Sequence, residues 1–246
     1  MSIALVQSAL GGNVSGTAGT TPTTLTTSAA GFSSNTTAGN VLVCVVFGRY
    51  TSTHSGFFSG LNFLTPVTMG ITWVAAVGPS WNDSTNTTGG GAQIFYAANA
   101  PSISSSTTTT VQIQSSGSGS QVGGPMSGEF MLYEFSGVAH SSPIDTFRSP
   151  AHSTGTPNPG TMVTSKTDLI MSIFSGDSGN ISAGPGYSLG INATVPTTGQ
   201  LQYELNVAPG SVATAFSGSQ TNYGASAVAF KGLPASGFAF GSLIGF

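Results

Sequence analysis

The sequence predicts an all-β protein of two tandem, sequence-related antiparallel β-sandwich units, jelly-roll or Ig-like, of about seven strands each. Three observations predict it. The 246 residues include 35 Gly and 13 Pro, and with Ser and Thr these interrupt the chain too often for long helices. The apolar segments between them are short, rich in β-branched and aromatic residues, and bounded by turn formers, which is the signature of strands. The segments also recur in two series of the same order, and a repeat of that kind bears on the whole fold.

The first series of predicted strands covers residues 3–8, 23–27, 41–47, 72–77, 93–97, 109–114 and 129–135. The second covers residues 144–148, 161–164, 169–174, 187–191, 201–207, 212–216 and 225–230. Five matches run in order. Ile3-Ala4-Leu5 corresponds to Ile144-Asp145-Thr146, and Pro22-Thr23-Thr24-Leu25 to Pro159-Gly160-Thr161-Met162. Asn40-Val41-Leu42-Val43 corresponds to Asp168-Leu169-Ile170-Met171, Ala92-Gln93-Ile94 to Leu201-Gln202-Tyr203, and Phe135-Ser136-Gly137 to Phe230-Lys231-Gly232. The implied organisation is a first unit over 1–139, a second over 140–233, and an apolar tail over 234–246.

In the segment around residues 129–135, Phe130, Leu132 and Glu134 alternate with Glu129, Met131, Tyr133 and Phe135. Apolar groups on both faces predict a central strand covered on both sides. Glu134 is then partly buried, and Arg148 or Lys166 is its candidate partner. The first unit carries two insertions. One, near residues 50–69, brings Phe57, Phe58, Phe63 and Leu64; the other, near 80–91, is a polar arm with Trp81. The tail has no charged side chain and presents Phe238, Phe240, Leu243, Ile244 and Phe246. At about 25 cal/mol per Å² of apolar area, docking these side chains is favourable. The tail residues, with Phe57 and Phe58, are therefore the expected assembly contacts.

Charge narrows the function. Only 4% of residues are charged, against roughly 25% in an ordinary domain. The cations are Arg49, Arg148, Lys166 and Lys231, too few and too dispersed for a nucleic-acid footprint or a polybasic membrane patch. Weak self-repulsion favours association. Met1-Ser2-Ile3-Ala4-Leu5 lacks the basic and long apolar regions of a secretion signal, and no run is long enough for a transmembrane helix.

The residues that carry ordinary enzyme chemistry are poorly arranged. Cys44, the one cysteine, lies in an apolar run with no base near it in sequence, and reads as a buried hydrophobe. His54, His140 and His152 are scattered without metal-binding spacing. Glu129 and Glu134 are five apart and face opposite sides of a regular strand, which is wrong for a glycosidase pair. Asp83 and Asp177 have too few neighbouring carboxylates for a strong Ca²⁺ site. Gly89-Gly90-Gly91 precedes a strand rather than a helix and reads as a flexible turn. The reading is non-enzymatic, with no cofactor and no metal. Trp81 and Tyr50 are candidates for stacking on a surface glycan.

Glu134-Phe135-Ser136-Gly137-Val138 followed by Ser142-Pro143-Ile144-Asp145, the strand Ala38–Val43 and the closing Ala227–Lys231 resemble Ser/Thr/Gly-rich β-sandwich structural proteins of tailed bacteriophages and related bacterial surface proteins. The resemblance covers most of residues 3–232 and rests on structural motifs. It implies a virion accessory role, capsid decoration or cement, without catalytic residues. The implied partners are further copies of the chain and other virion proteins such as the major capsid protein, with no nucleic acid and no membrane. The implied location is the virion, after synthesis in the host cytoplasm. A carbohydrate-binding adhesin or tail-fibre module is the alternative.

Overall fold

The computed structural model describes residues 1–17, 23–51, 61–82, 88–115, 124–149, 153–177, 181–190 and 198–234. These residues form strands and no helix. The first half contains β1 (Ala4–Thr17), β2 (Thr24–Thr26), β3 (Val41–Thr51), β4 (Leu61–Phe63), β5 (Val67–Thr68), β6 (Val74–Val77), β7 (Ser80–Asn82), β8 (Thr88–Ala97), β9 (Thr109–Thr110), β10 (Gln112–Ser115) and β11 (Pro125–Ser136). The second contains β12 (Ile144–Arg148), β13 (Ser153–Gly155), β14 (Thr161–Thr164), β15 (Asp168–Gly176), β16 (Ser188–Leu189), β17 (Thr198–Val207), β18 (Gly210–Ala213) and β19 (Gln220–Lys231).

Two antiparallel main sheets face each other. The first runs β1-β11-β3-β8-β6, with β7 also on β8; the second runs β12-β19-β15-β17-β16, with β13 also on β19. Their facing residues build one core: Val41, Val43, Val45, Phe47, Met131 and Tyr133 from the first sheet, and Leu169, Met171, Ile173, Leu201, Val228 and Phe230 from the second. The opposite faces are buried too. Leu42, Cys44, Val46, Phe130 and Leu132 pack against Phe32, Leu61, Trp73, Val111 and Ile113. These come mainly from the loops and small sheets β2-β10-β4 and β5-β9. On the second sheet, Ile170, Ala227 and Ala229 are roofed by Met162 of β14 and Val212 of β18. The architecture is therefore four-layered. It explains why the central strands read as unbroken apolar runs: alternation is lost when both faces are covered.

The two main sheets share registers as well as strand order. Val43 of β3 stands between Tyr133 of β11 and Tyr96 of β8. Met171 of β15 stands between Val228 of β19 and Tyr203 of β17. Both opening strands are bulged at a corresponding position, β1 between Leu5 and Gln7 and β12 between Ile144 and Thr146, and β1 has a second irregularity between Leu10 and Asn13. Leu5 is opposite Phe135 and Ile144 opposite Phe230, so by register Leu5, not Ile3, occupies the position of Ile144. Val6 likewise corresponds to Asp145, and Tyr96 to Tyr203. The two tyrosines pack reciprocally: Tyr96 lies edge-on to Phe230 at 5.5 Å and Tyr203 edge-on to Phe135 at 5.8 Å.

Small residues set the close approaches. A Cβ on Gly199 would sit 2.3 Å from the Phe47 ring, so that ring crosses the core over a bare backbone. Gly89, Gly90 and Gly91 lie within β8, not in a turn before it. A Cβ on Gly90 would meet Gly48 O at 2.6 Å and the Trp81 indole nitrogen at 2.9 Å, and one on Gly91 would meet Phe63 at 3.1 Å. The glycines leave room for two aromatic rings, which is why this turn-like sequence is strand. Asn206, at φ 59°, ties the start of the chain to the second half. Its Nδ2 donates to Ile3 O at 2.9 Å, and the Ile3 N–H donates to its Oδ1 at 2.7 Å.

Candidate functional site

Seven of the residues expected to make assembly contacts, Phe57, Phe58, Phe238, Phe240, Leu243, Ile244 and Phe246, lie outside the described residues. The two candidate glycan platforms are corrected. Trp81 is 2% exposed and Tyr50 8% exposed, so neither ring offers a face to a sugar. Trp81 lies in β7, and its indole N–H donates to Ser175 Oγ of β15 at 2.9 Å. The amphipathic ring links the two main sheets instead of facing water. Cys44 is free and fully buried, and burial pushes its thiol up, away from the reactive thiolate. Glu129 and Glu134 are both buried. The unbroken register of β11 against β3 puts Glu134 on the outer face with Leu132 and Glu129 on the inner face with Met131. Among the described residues no three His, Cys, Asp or Glu side chains form a metal-holding group.

The buried carboxylates define two polar centres, one per half. In the first, Glu134 accepts from three neutral donors. The Thr37 backbone N–H donates to Oε1 at 2.8 Å, Asn40 Nδ2 to Oε1 at 2.6 Å, and Gln7 Nε2 to Oε2 at 2.6 Å. The expected cationic partner is thus replaced by amides. Arg148 instead bonds the carbonyls of Thr161 and Phe147, and Lys166 stands at the end of the second sheet. Donors to a carboxylate contribute roughly twice what neutral pairs do, so three amides hold the anion without a counter-ion. They also fix the chain entering β3.

In the second half the carboxylate that anchors the turn before the central strand comes from a different place. Asp145, the bulge residue of β12, accepts from the Ser165 backbone N–H, and from the Ser165 hydroxyl at 2.7 Å. Burial alone works to raise its carboxyl. The two Ser165 bonds, then Asp168 and Lys231, outweigh that and hold it below the usual carboxylate range. Asp168, the first residue of β15, is 0% exposed, and no hydrogen-bond donor reaches either of its oxygens. Burial, then the charge and hydrogen-bonding of Asp145, push its carboxyl up to about 7, against the opposing pull of Lys231. Lys231 stands directly opposite Asp168 on β19. Lys231 also lines a surface cavity of about 220 Å³ with Ala139, Ser141, Lys166, Gly232 and Pro234.

Chemically the two centres differ. Glu134 has both oxygens engaged by amide donors, which suits an anchor and not a general acid or base. Asp168 has both oxygens unengaged beside the half-buried Asp145 carboxylate, and one proton relieves the repulsion between two such neighbours. Sequence reasoning did not select Asp145 or Asp168. The signal was present, because the match of Asn40-Val41-Leu42 with Asp168-Leu169-Ile170 already set an amide against a carboxyl at one position.

No protein-family model matches the chain, and no curated protein or solved structure matches it.

Proposed function

We propose that the chain is a non-catalytic structural protein of a virion, a capsid-decorating subunit assembled through neutral polar and apolar contacts. We further propose that its halves, 1–139 and 140–233, descend from one duplicated β-sandwich unit. The observation that carries the assembly reading is the distribution of charge. Asp83 lies outside the described residues. Of the other charged side chains, only Arg148 and Lys166 are exposed, while Glu129, Glu134 and Asp168 are fully buried. Arg49, Asp145, Asp177, Glu204 and Lys231 are half-buried, so few charges stand fully in water among the described residues and copies repel one another little. Contacts made by hydroxyls, amides and apolar groups also survive salt that would screen ion pairs. The duplication is supported by the shared strand order, the shared bulge and the reciprocal Tyr–Phe contacts.

The test is to add the purified protein to particles that lack it and sediment them in about 1 M salt, where ionic contacts are screened. The chain is expected in the pellet at stoichiometric, saturable occupancy. A protein that stays monomeric in the supernatant, and is missing from native particles, would end the virion reading.

A further inference from the structure

We infer that Asp168 is a proton-operated latch: its protonated carboxyl donates to Asp145 as the Asn40 amide donates to Glu134, and loss of that proton loosens the edge strand β12 and the turn at Ser165 from the end of the second sheet. The inference does not depend on the virion reading.

Position makes the argument. Asn40 immediately precedes Val41 of β3, and Asp168 immediately precedes Leu169 of β15. Val41 pairs with Phe135 as Leu169 pairs with Phe230. In both halves a backbone N–H shortly before the central strand is held by a carboxylate, Thr37 by Glu134 and Ser165 by Asp145. In the first half the residue at the strand's start supplies an amide donor to that carboxylate. In the second half the equivalent residue has no permanent donor. A carboxyl donates only when protonated, and unprotonated Asp168 is a buried anion facing another anion with no donor to either oxygen.

The groups around Asp168 are few. β12 contributes Asp145, and β19 contributes Lys231 directly opposite. The turn before β15 contributes Lys166, which is exposed and lines the neighbouring cavity. On β17 the nearest carboxyl is Glu204, opposite Ile170 and itself raised by burial. The roofing strands β14 and β18 contain no charged residue. Lys231 is thus the one cation across the strand, and it is shared between two carboxyls. With a proton on Asp168 the centre balances one anion against Lys231. Without it, two anions compete for one ammonium. The element that can yield is β12, which is only Ile144–Arg148 long and lies at the sheet edge. Its bulge residue is the one that carries the charge.

The test is amide hydrogen exchange of the Ser165 N–H and of β12 at about pH 6 and about pH 8.5, corrected for intrinsic rates, in wild type and Asp168→Asn. In wild type, protection of these amides is expected to fall about tenfold or more across that interval, while the β3 and β11 amides hold. Asp168→Asn, which installs the first half's amide donor, is expected to keep its protection at both pH values. Should Asp168→Asn fail to fold, Asp145→Asn provides a second reading: with the facing charge gone and the burial of Asp168 kept, the pH response of the β12 amides should shrink and move to lower pH, and an unchanged response overturns the latch. Unchanged wild-type protection, or an equal loss in Asp168→Asn, overturns the latch. So does full restoration at high pH by Ca²⁺, which would mark a cation site instead.

Discussion

Glu134 and Asp168 are both carboxyls buried to zero exposure at corresponding ends of two sheets with the same strand order, yet their surroundings are opposite. Glu134 has three N–H donors and no cation among them. Asp168 has a cation opposite it in register and no donor on either oxygen. The difference teaches that the number of donors, more than the sign of the nearest charge, decides how a carboxyl is buried. A single ammonium shared by two carboxyls leaves one of them to be neutralised by a proton, because desolvation of an unpaired anion costs more than its partial attraction to Lys231 returns.

Breaking the better-satisfied centre should cost most. Glu134→Ala leaves the Thr37 N–H and the buried Asn40 amide without their acceptor, while Gln7 Nε2 keeps longer bonds to the Ser34 and Asn35 carbonyls. At about 1–3 kcal/mol per buried orphan group, with partial relief by water, we expect a loss of about 4 kcal/mol, read from urea denaturation. Converting the first centre into the second comes next. Asn40→Asp replaces a donor with a second carboxyl beside Glu134, so a loss of about 3 kcal/mol is expected near pH 8. Part of that loss should be recovered on acidification, as the new carboxyl takes up a proton.

The unaltered protein should show the signature of the second centre. Asp168 is raised in the folded state to about 7, so between the ordinary carboxylate range and that value the folded chain keeps a proton that the unfolded chain has released. Stability from this group is therefore fully present at low pH. It falls as pH rises toward about 7 and is flat above. Asp145, held low, acts in the opposite sense and only in more acidic solution, where its protonation removes stability. Denaturation midpoints measured across the interval, with Asp168→Asn as the reference, separate the two. The smallest effect concerns the strap between halves. Asn206→Ala removes both bonds to Ile3 and puts Ala at φ 59°, for an expected loss of about 1–2 kcal/mol and faster exchange of the Ile3 N–H.

Much of the fold was legible because period and punctuation are local. Residues 144–148 and 161–164 were predicted at the bounds observed for β12 and β14, since turn residues flank each run closely. The covered strand around Phe130 and Leu132 was legible from apolar groups on both faces. The facing of the two main sheets was not, because an apolar run says that a face is covered without saying by what. The Gly89–Gly91 strand was misread for a related reason. Glycine in a run signals conformational freedom, whereas here it makes space for Trp81 and Phe63, a demand set by residues distant in sequence. Trp81 was misplaced with it, since a Trp in a polar segment reads as exposed until its partner Ser175, far along the chain, is brought alongside. The acid centre escaped notice because Asp145 and Asp168 are 23 positions apart, on strands β12 and β15 that β19 separates in the sheet.

The most direct test of this comparison is a pH titration of the Asp side-chain carboxyl carbons by NMR in the folded protein, with Asp168→Asn assigning the signal. The expected result is one Asp resonance, that of residue 168, moving with a midpoint near about 7, and the Asp145 signal perturbed over the same interval. If Asp168 titrates within the ordinary carboxylate range, it is an anion at neutrality. The proton that distinguishes the second half from the first is then not there.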